Sequence, residues 1–94
     1  MIWECKNYAE LEASDFHQMS YYMSESISNF VVCCFRGERK KHYFQHISKI
    51  SKDKKGMILL LEERDMKVII RKSLSGKSCD DHLNDIYDQT ERMI

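Results

Sequence analysis

Two short runs of unbroken apolar residues, Phe30-Val31-Val32-Cys33-Cys34-Phe35 and Met57-Ile58-Leu59-Leu60-Leu61, constrain this chain more than any other feature. Both are rich in β-branched, aromatic or long aliphatic residues, and both stop abruptly, at Arg36-Gly37 and at Glu62-Glu63-Arg64-Asp65. An apolar run with no polar alternation reads as a strand buried on both faces, the pattern of a parallel sheet whose crossovers are helices. The segments around the runs must then be amphipathic helices, and their periodicity agrees. Ser14 is placed to cap a helix with Asp15 in its first turn, and Phe16, Met19, Met23 and Ile27 recur at spacings of three and four. Between the runs, Tyr43, Phe44, Ile47 and Ile50 make a second stripe, with Arg39, Lys40, Lys41 and Lys49 largely off it.

The ends of the chain extend this pattern. Ile2 to Asn7 alternates, with Ile2, Glu4 and Lys6 projecting one way and Trp3, Cys5 and Asn7 the other, as in a strand that begins abruptly. After a break at Ser75-Gly76-Lys77, Ser78 followed by Asp80 and Asp81 marks a last helix with Leu83, Ile86, Tyr87 and Thr90 on one face. Residues 66–72 fit two structures. The β-branched run Lys67-Val68-Ile69-Ile70-Arg71 suits a strand returning as a hairpin through Glu63 to Asp65, and a short helix starting near Asp65 with Met66, Ile69, Ile70 and Leu74 inward fits equally. The expected fold is α/β: strand, helix, strand, helix, strand and C-terminal helices, on a mainly parallel or mixed sheet, as one small domain over residues 1–94.

Fifteen basic residues balance fifteen acidic ones, but the charges are segregated. Acids dominate both ends. Arg36 to Lys55 carries Arg36, Arg39, Lys40, Lys41, Lys49, Lys52, Lys54 and Lys55 against only Glu38 and Asp53, a local excess that can attract phosphate. No apolar run approaches the roughly 20 residues needed to cross a bilayer, and Glu4 stands where a secretory signal would be basic and then apolar, so the expected location is cytoplasmic and off the membrane. Cys5, Cys33, Cys34 and Cys79 are read as reduced thiols, because the adjacent Cys33 and Cys34 point to opposite faces of a strand. Cys33 and Cys34 fill the core in this reading, and His17, His42, His46 and His82 are solvated surface residues.

Glu4-Cys5-Lys6 is the tripeptide with a specific chemical reading. A period of two places the carboxylate and the ammonium side by side on one strand face. A carboxylate can hold a hard divalent cation that polarises a phosphodiester, while a lysine positions or helps activate water and offsets transition-state charge. Magnesium needs a second acidic ligand beside its waters, and spacing alone brings neither Glu10 nor Glu12 to this face.

Glu4-Cys5-Lys6, a following helix with Gln18 and Tyr22, and the buried run from Phe30 resemble the second half of the PD-(D/E)xK nuclease core, the restriction endonuclease-like fold. Glu4 and Lys6 match the (D/E)xK positions, Gln18 and Tyr22 match the Gln-x-x-x-Tyr pattern of several branches, and Leu59 to Met66 is similar to the tail of defence-associated relatives. The resemblance implies a metal-dependent DNA endonuclease of restriction or defence type. Glu4 would bind Mg2+ or Mn2+, Lys6 would orient or activate the attacking water, and Gln18 would support the site. Arg36, Arg39, Lys40 and Lys41 would contact backbone phosphates. The family's metal-binding aspartate lies on a strand pair before the (D/E)xK strand, whereas here Glu4 is three residues from the start. The expectation is therefore a partial domain, inactive alone and completed by an upstream aspartate-bearing segment. The alternative is a non-catalytic interaction module on the same scaffold, homo-oligomeric through its first strand, which would also remove an exposed edge.

Overall fold

The structure is a computed structural model that describes residues 2–24, 29–54 and 56–94. Strands β1 (Ile2–Lys6), β2 (Phe30–Phe35) and β3 (Met57–Leu61) form a parallel sheet in the order β1-β2-β3. Helices α1 (Ala13–Ser24) and α2 (Lys41–Lys54) are the crossovers, and α3 (Glu63–Leu74) and α4 (Asp80–Met93) follow β3. The α/β order read from the sequence is the order observed.

Both apolar runs are enclosed because helices cover both faces of the sheet. Phe35 meets Tyr43 of α2 edge-on at 6.0 Å, whereas Cys34 Sγ lies 3.3 Å from Met66 Sδ of α3 and Phe30 stacks on Tyr87 of α4. Odd positions of β2 therefore face α1 and α2, and even positions face α3 and α4. Val31 to Phe35 and Met57 to Leu61 are all buried, each large side chain contributing about 1.5–3 kcal/mol relative to exposure. Phe16, Met19 and Met23 of α1 and Tyr43, Phe44, Ile47 and Ile50 of α2 are buried as their spacing predicts; Ile27 lies outside the described residues.

Two local expectations change and one open choice is decided. Helix α1 starts at Ala13, before Ser14, because the Asp15 carboxylate accepts the Glu12 N–H at 2.8 Å and the Asp15 N–H donates to the Glu12 carbonyl at 3.0 Å. Residues 66–72 are helical, and the segment Glu63 to Asp65 is the first turn of α3 rather than a hairpin turn. A reciprocal capping box at Glu62 and Asp65 selects the helix over the β-branched run, supplying partners for main-chain donors at its start. Of the four residues expected inward, Met66 and Ile69 pack on the core, while Ile70 and Leu74 are 53% and 84% exposed. In α4, Ile86 and Thr90 are buried and Leu83 and Tyr87 half-buried. Its N-cap is Cys79, and Ser78 contributes by accepting the Asp80 N–H at 3.1 Å.

Candidate functional site

The carboxyl end of β1 carries the candidate site. Glu4 and Lys6 pair in register with Cys33 and Phe35, which puts them on the α1 side of the sheet. There Lys6 Nζ lies 3.3 Å from Glu4 Oε1, 2.5 Å from Gln18 Oε1 and 3.6 Å from Asp15 Oδ1. Sequence spacing links Glu4 to Lys6; the crossover places α1 so that Asp15 and Gln18, three apart on one helix face, close around the same ammonium. Tyr8 completes the group by donating its hydroxyl proton to Asp15.

Asp15 is the member that sequence reasoning missed. Its position in the first turn of a helix was legible, but its approach to Lys6 depends on how tightly the chain turns after β1. That turn is held where the Arg36 N–H donates to the Tyr8 carbonyl at 3.1 Å and where Gly37 meets Ala9 so closely that an added Cβ would lie 1.8 Å from the Ala9 carbonyl oxygen. Tyr8 is bound into this turn through its carbonyl and its hydroxyl.

The electrostatics of the cluster keep its charges in place. Burial pulls the Lys6 pKa down, but the hydrogen bond to Glu4 and the negative charges of Glu4 and Asp15 help to outweigh it, leaving the pKa raised. Burial pushes Asp15 up, yet its bonds from the Glu12 N–H and Tyr8 and the nearby Lys6 hold it below the usual carboxylate range. The hydrogen bond to Asp15 raises the Tyr8 pKa. The site is thus an ammonium among acceptors at neutral pH.

The remaining sequence candidates separate. Arg36 reaches Asn7 Oδ1 at 3.4 Å and lines an open polar cleft of about 560 Å³ with Arg39, Glu62 and Arg64. Arg39 turns inward: its guanidinium lies 3.1 Å from both the Leu60 carbonyl oxygen and Asp65 Oδ2, and 3.7 Å from Glu62 Oε1. Lys40 pairs with Glu10 at 3.0 Å, and Lys41 is exposed at the start of α2.

Two histidines depart from the solvated reading. His82 Nε2 is 3.0 Å from Asp65 Oδ1, and His46 stacks on Phe16 with centroids 4.9 Å apart. His42 and His46 stand four residues apart on α2, a spacing that can hold zinc on a helix. Among the described residues, however, no three His, Cys, Asp or Glu side chains come together as a metal site. Burial pushes the Cys33 thiol up to about 12 and Cys34 up to about 11, so neither is a nucleophile.

No family model, curated protein or solved structure matches this chain.

Among the described residues, no helix is long and apolar enough to cross a membrane.

Proposed function

We propose that Glu4, Lys6 and Gln18 form the (D/E)xK part of a metal-dependent DNA endonuclease site of restriction or defence type. The observation that carries this reading is the convergence of Glu4 and Gln18 on Lys6, at 3.3 and 2.5 Å, from a strand and the helix that follows it. The parallel strand after that helix is also what the restriction endonuclease-like arrangement requires at this point.

The residues fit a magnesium or manganese site in part. Glu4 is half-buried and offers a carboxylate beside the lysine, whereas both Asp15 oxygens already accept hydrogen bonds within the protein. Such an ion would take Glu4 as one ligand and needs a second acidic ligand from outside this cluster. When bound, it would supply charge stabilisation at the phosphate. Lys6, with its raised pKa, holds its proton; its role is to donate to a water or a phosphate oxygen and offset developing negative charge, rather than to act as the base. Gln18 holds the ammonium in position through its side-chain oxygen. Arg36 and Lys41 are the better candidates for backbone phosphate, because Arg39 and Lys40 face carboxylates.

The test is cleavage of supercoiled plasmid in Mg2+ or Mn2+ by the product of the entire reading frame. Lys6→Ala should lower cleavage at least about 100-fold and leave DNA binding intact; equal cleavage by the variant would contradict the proposal. A second reading, a non-catalytic interaction module, is favoured by one observation. Among the described residues β1 is an edge strand, and Trp3 on it is 46% exposed. That reading expects neither metal binding at Glu4 nor salt-dependent DNA binding.

A further inference from the structure

Among the described residues, β1 has one neighbour in the sheet, β2, and none of them pairs with its other edge. The register of the sheet identifies the groups on that edge. Met57 N–H donates to the Asn29 carbonyl at 2.9 Å, which directs Val31 and Cys33 of β2 towards β3 and leaves Val32 and Cys34 to bond β1. With Trp3 opposite Val32 and Cys5 opposite Cys34, the main-chain groups of Ile2, Glu4 and Lys6 turn towards β2. Those of Trp3 and Cys5 therefore point out along the free edge. Trp3 and Cys5 also have exposed side chains, on the face of the sheet where α3 and α4 pack against β2 and β3.

We propose that a second copy of this chain pairs along β1, antiparallel, about a twofold axis through Cys5. Charge decides both the occupant and the register. A twofold through Glu4 would set Glu4 against its symmetry mate, and one through Lys6 would set lysine against lysine, both destabilising. A twofold through Trp3 would set Glu4 against Ile2 and leave both charges without a partner across the seam. With the axis at Cys5, Glu4 of each protomer stands directly opposite Lys6 of the other, at the non-hydrogen-bonded positions where side chains come closest. The two Cys5 residues exchange main-chain hydrogen bonds on the axis, and Trp3 is set opposite Asn7. The alternation of Glu4 and Lys6 thus makes the edge self-complementary in this register.

The pairing would bring the two Glu4 residues onto a diagonal of about 7–8 Å, where each protomer could provide the other's second acidic group. The proposal itself does not rest on the phosphodiesterase reading: association is read by mass and cleavage by plasmid, so either can fail alone.

The test combines oligomeric state with site-specific oxidation, in a Cys79→Ser background so that Cys5 is the exposed thiol. Light scattering at about 100 µM protein, where a micromolar complex is essentially all associated, should give twice the chain mass. Diamide, as the two-electron oxidant, should yield a disulfide-linked dimer that Cys5→Ser abolishes. A twofold at Cys5 sets those Cα atoms about 5.5 Å apart, within disulfide reach, whereas the neighbouring registers leave them about 7–8 Å apart. Glu4→Lys and Lys6→Glu should each weaken self-association about tenfold, and an equimolar mixture of the two folded variants should restore it. A monomer would overturn the proposal and leave the edge to a different strand. A dimer that Cys5 does not cross-link would equally overturn it.

Discussion

At the scale of single residues, the protein's chemistry concentrates on Lys6 and Asp15, whose pKa values move in opposite directions because partners hold each in its charged form, Lys6 chiefly through Glu4 and Asp15 chiefly through the Glu12 N–H and Tyr8. Asp15 is held below its usual value near about 3.9 by the Glu12 N–H, Tyr8 and Lys6, despite its burial. A depressed carboxylate contributes stability that is present above its unfolded pKa and is lost as pH falls through the folded value. Lys6, raised above about 10.4, contributes stability that is full below that value and is lost as pH rises through its folded pKa. Urea midpoints should therefore fall on the acid side below about pH 4, and Asp15→Asn should flatten that fall while costing about 1 kcal/mol at pH 7 through its cap. An unchanged acid limb in the variant would remove Asp15 from the account. Thiol reactivity offers a second check. Ellman's reagent at pH 8 should label exposed Cys5 rapidly and reach buried Cys33 and Cys34 only on unfolding.

At the scale of elements, the informative case is α3. Its residues 68–70 favour a strand by propensity, and the sequence left strand and helix equally open. The deciding interactions involve side chains distant in sequence: Asp65 Oδ2 accepts the Glu62 N–H at 2.9 Å and Arg39 at 3.1 Å, while Asp65 Oδ1 meets His82 at 3.0 Å. Neither Arg39 nor His82 can be assigned to Asp65 from spacing, which explains why one was read as a phosphate contact and the other as a solvated histidine. Asp65→Ala should cost about 2–4 kcal/mol in urea unfolding, because it strips a cap and leaves a largely buried arginine with one fewer acceptor. Helical geometry makes another distinction. Ile70→Lys and Leu74→Lys should stay within about 0.5 kcal/mol of the parent, since both side chains are exposed, whereas Ile69→Lys should destabilise markedly. A strand would have given alternate sensitivity at Val68 and Ile70.

At the scale of the whole molecule, the α/β order was legible because β2 and β3 are apolar at every position, and only a sheet covered on both faces buries such runs. The stripes of α1 and α2 were legible for the same reason of period. The site was legible in half: strand alternation joins Glu4 to Lys6, and Gln18 lies where a crossover helix can return to them. Asp15 was not, because its distance from Lys6 depends on the close approach of Ala9 and Gly37 between two loops. Gly37→Ala should accordingly destabilise the protein by roughly 1–3 kcal/mol in denaturant titration and loosen the Lys6 cluster with it. The central claim is that the carboxylate and ammonium at the end of β1 form part of a metal-assisted phosphodiester site. Its most direct test is a manganese titration followed by amide resonances. Sub-stoichiometric Mn2+ should broaden Glu4, Cys5 and Lys6 first, and Glu4→Gln should abolish that selective broadening; broadening confined to the acidic start of α4 at Asp80 and Asp81, or unchanged in Glu4→Gln, would contradict it.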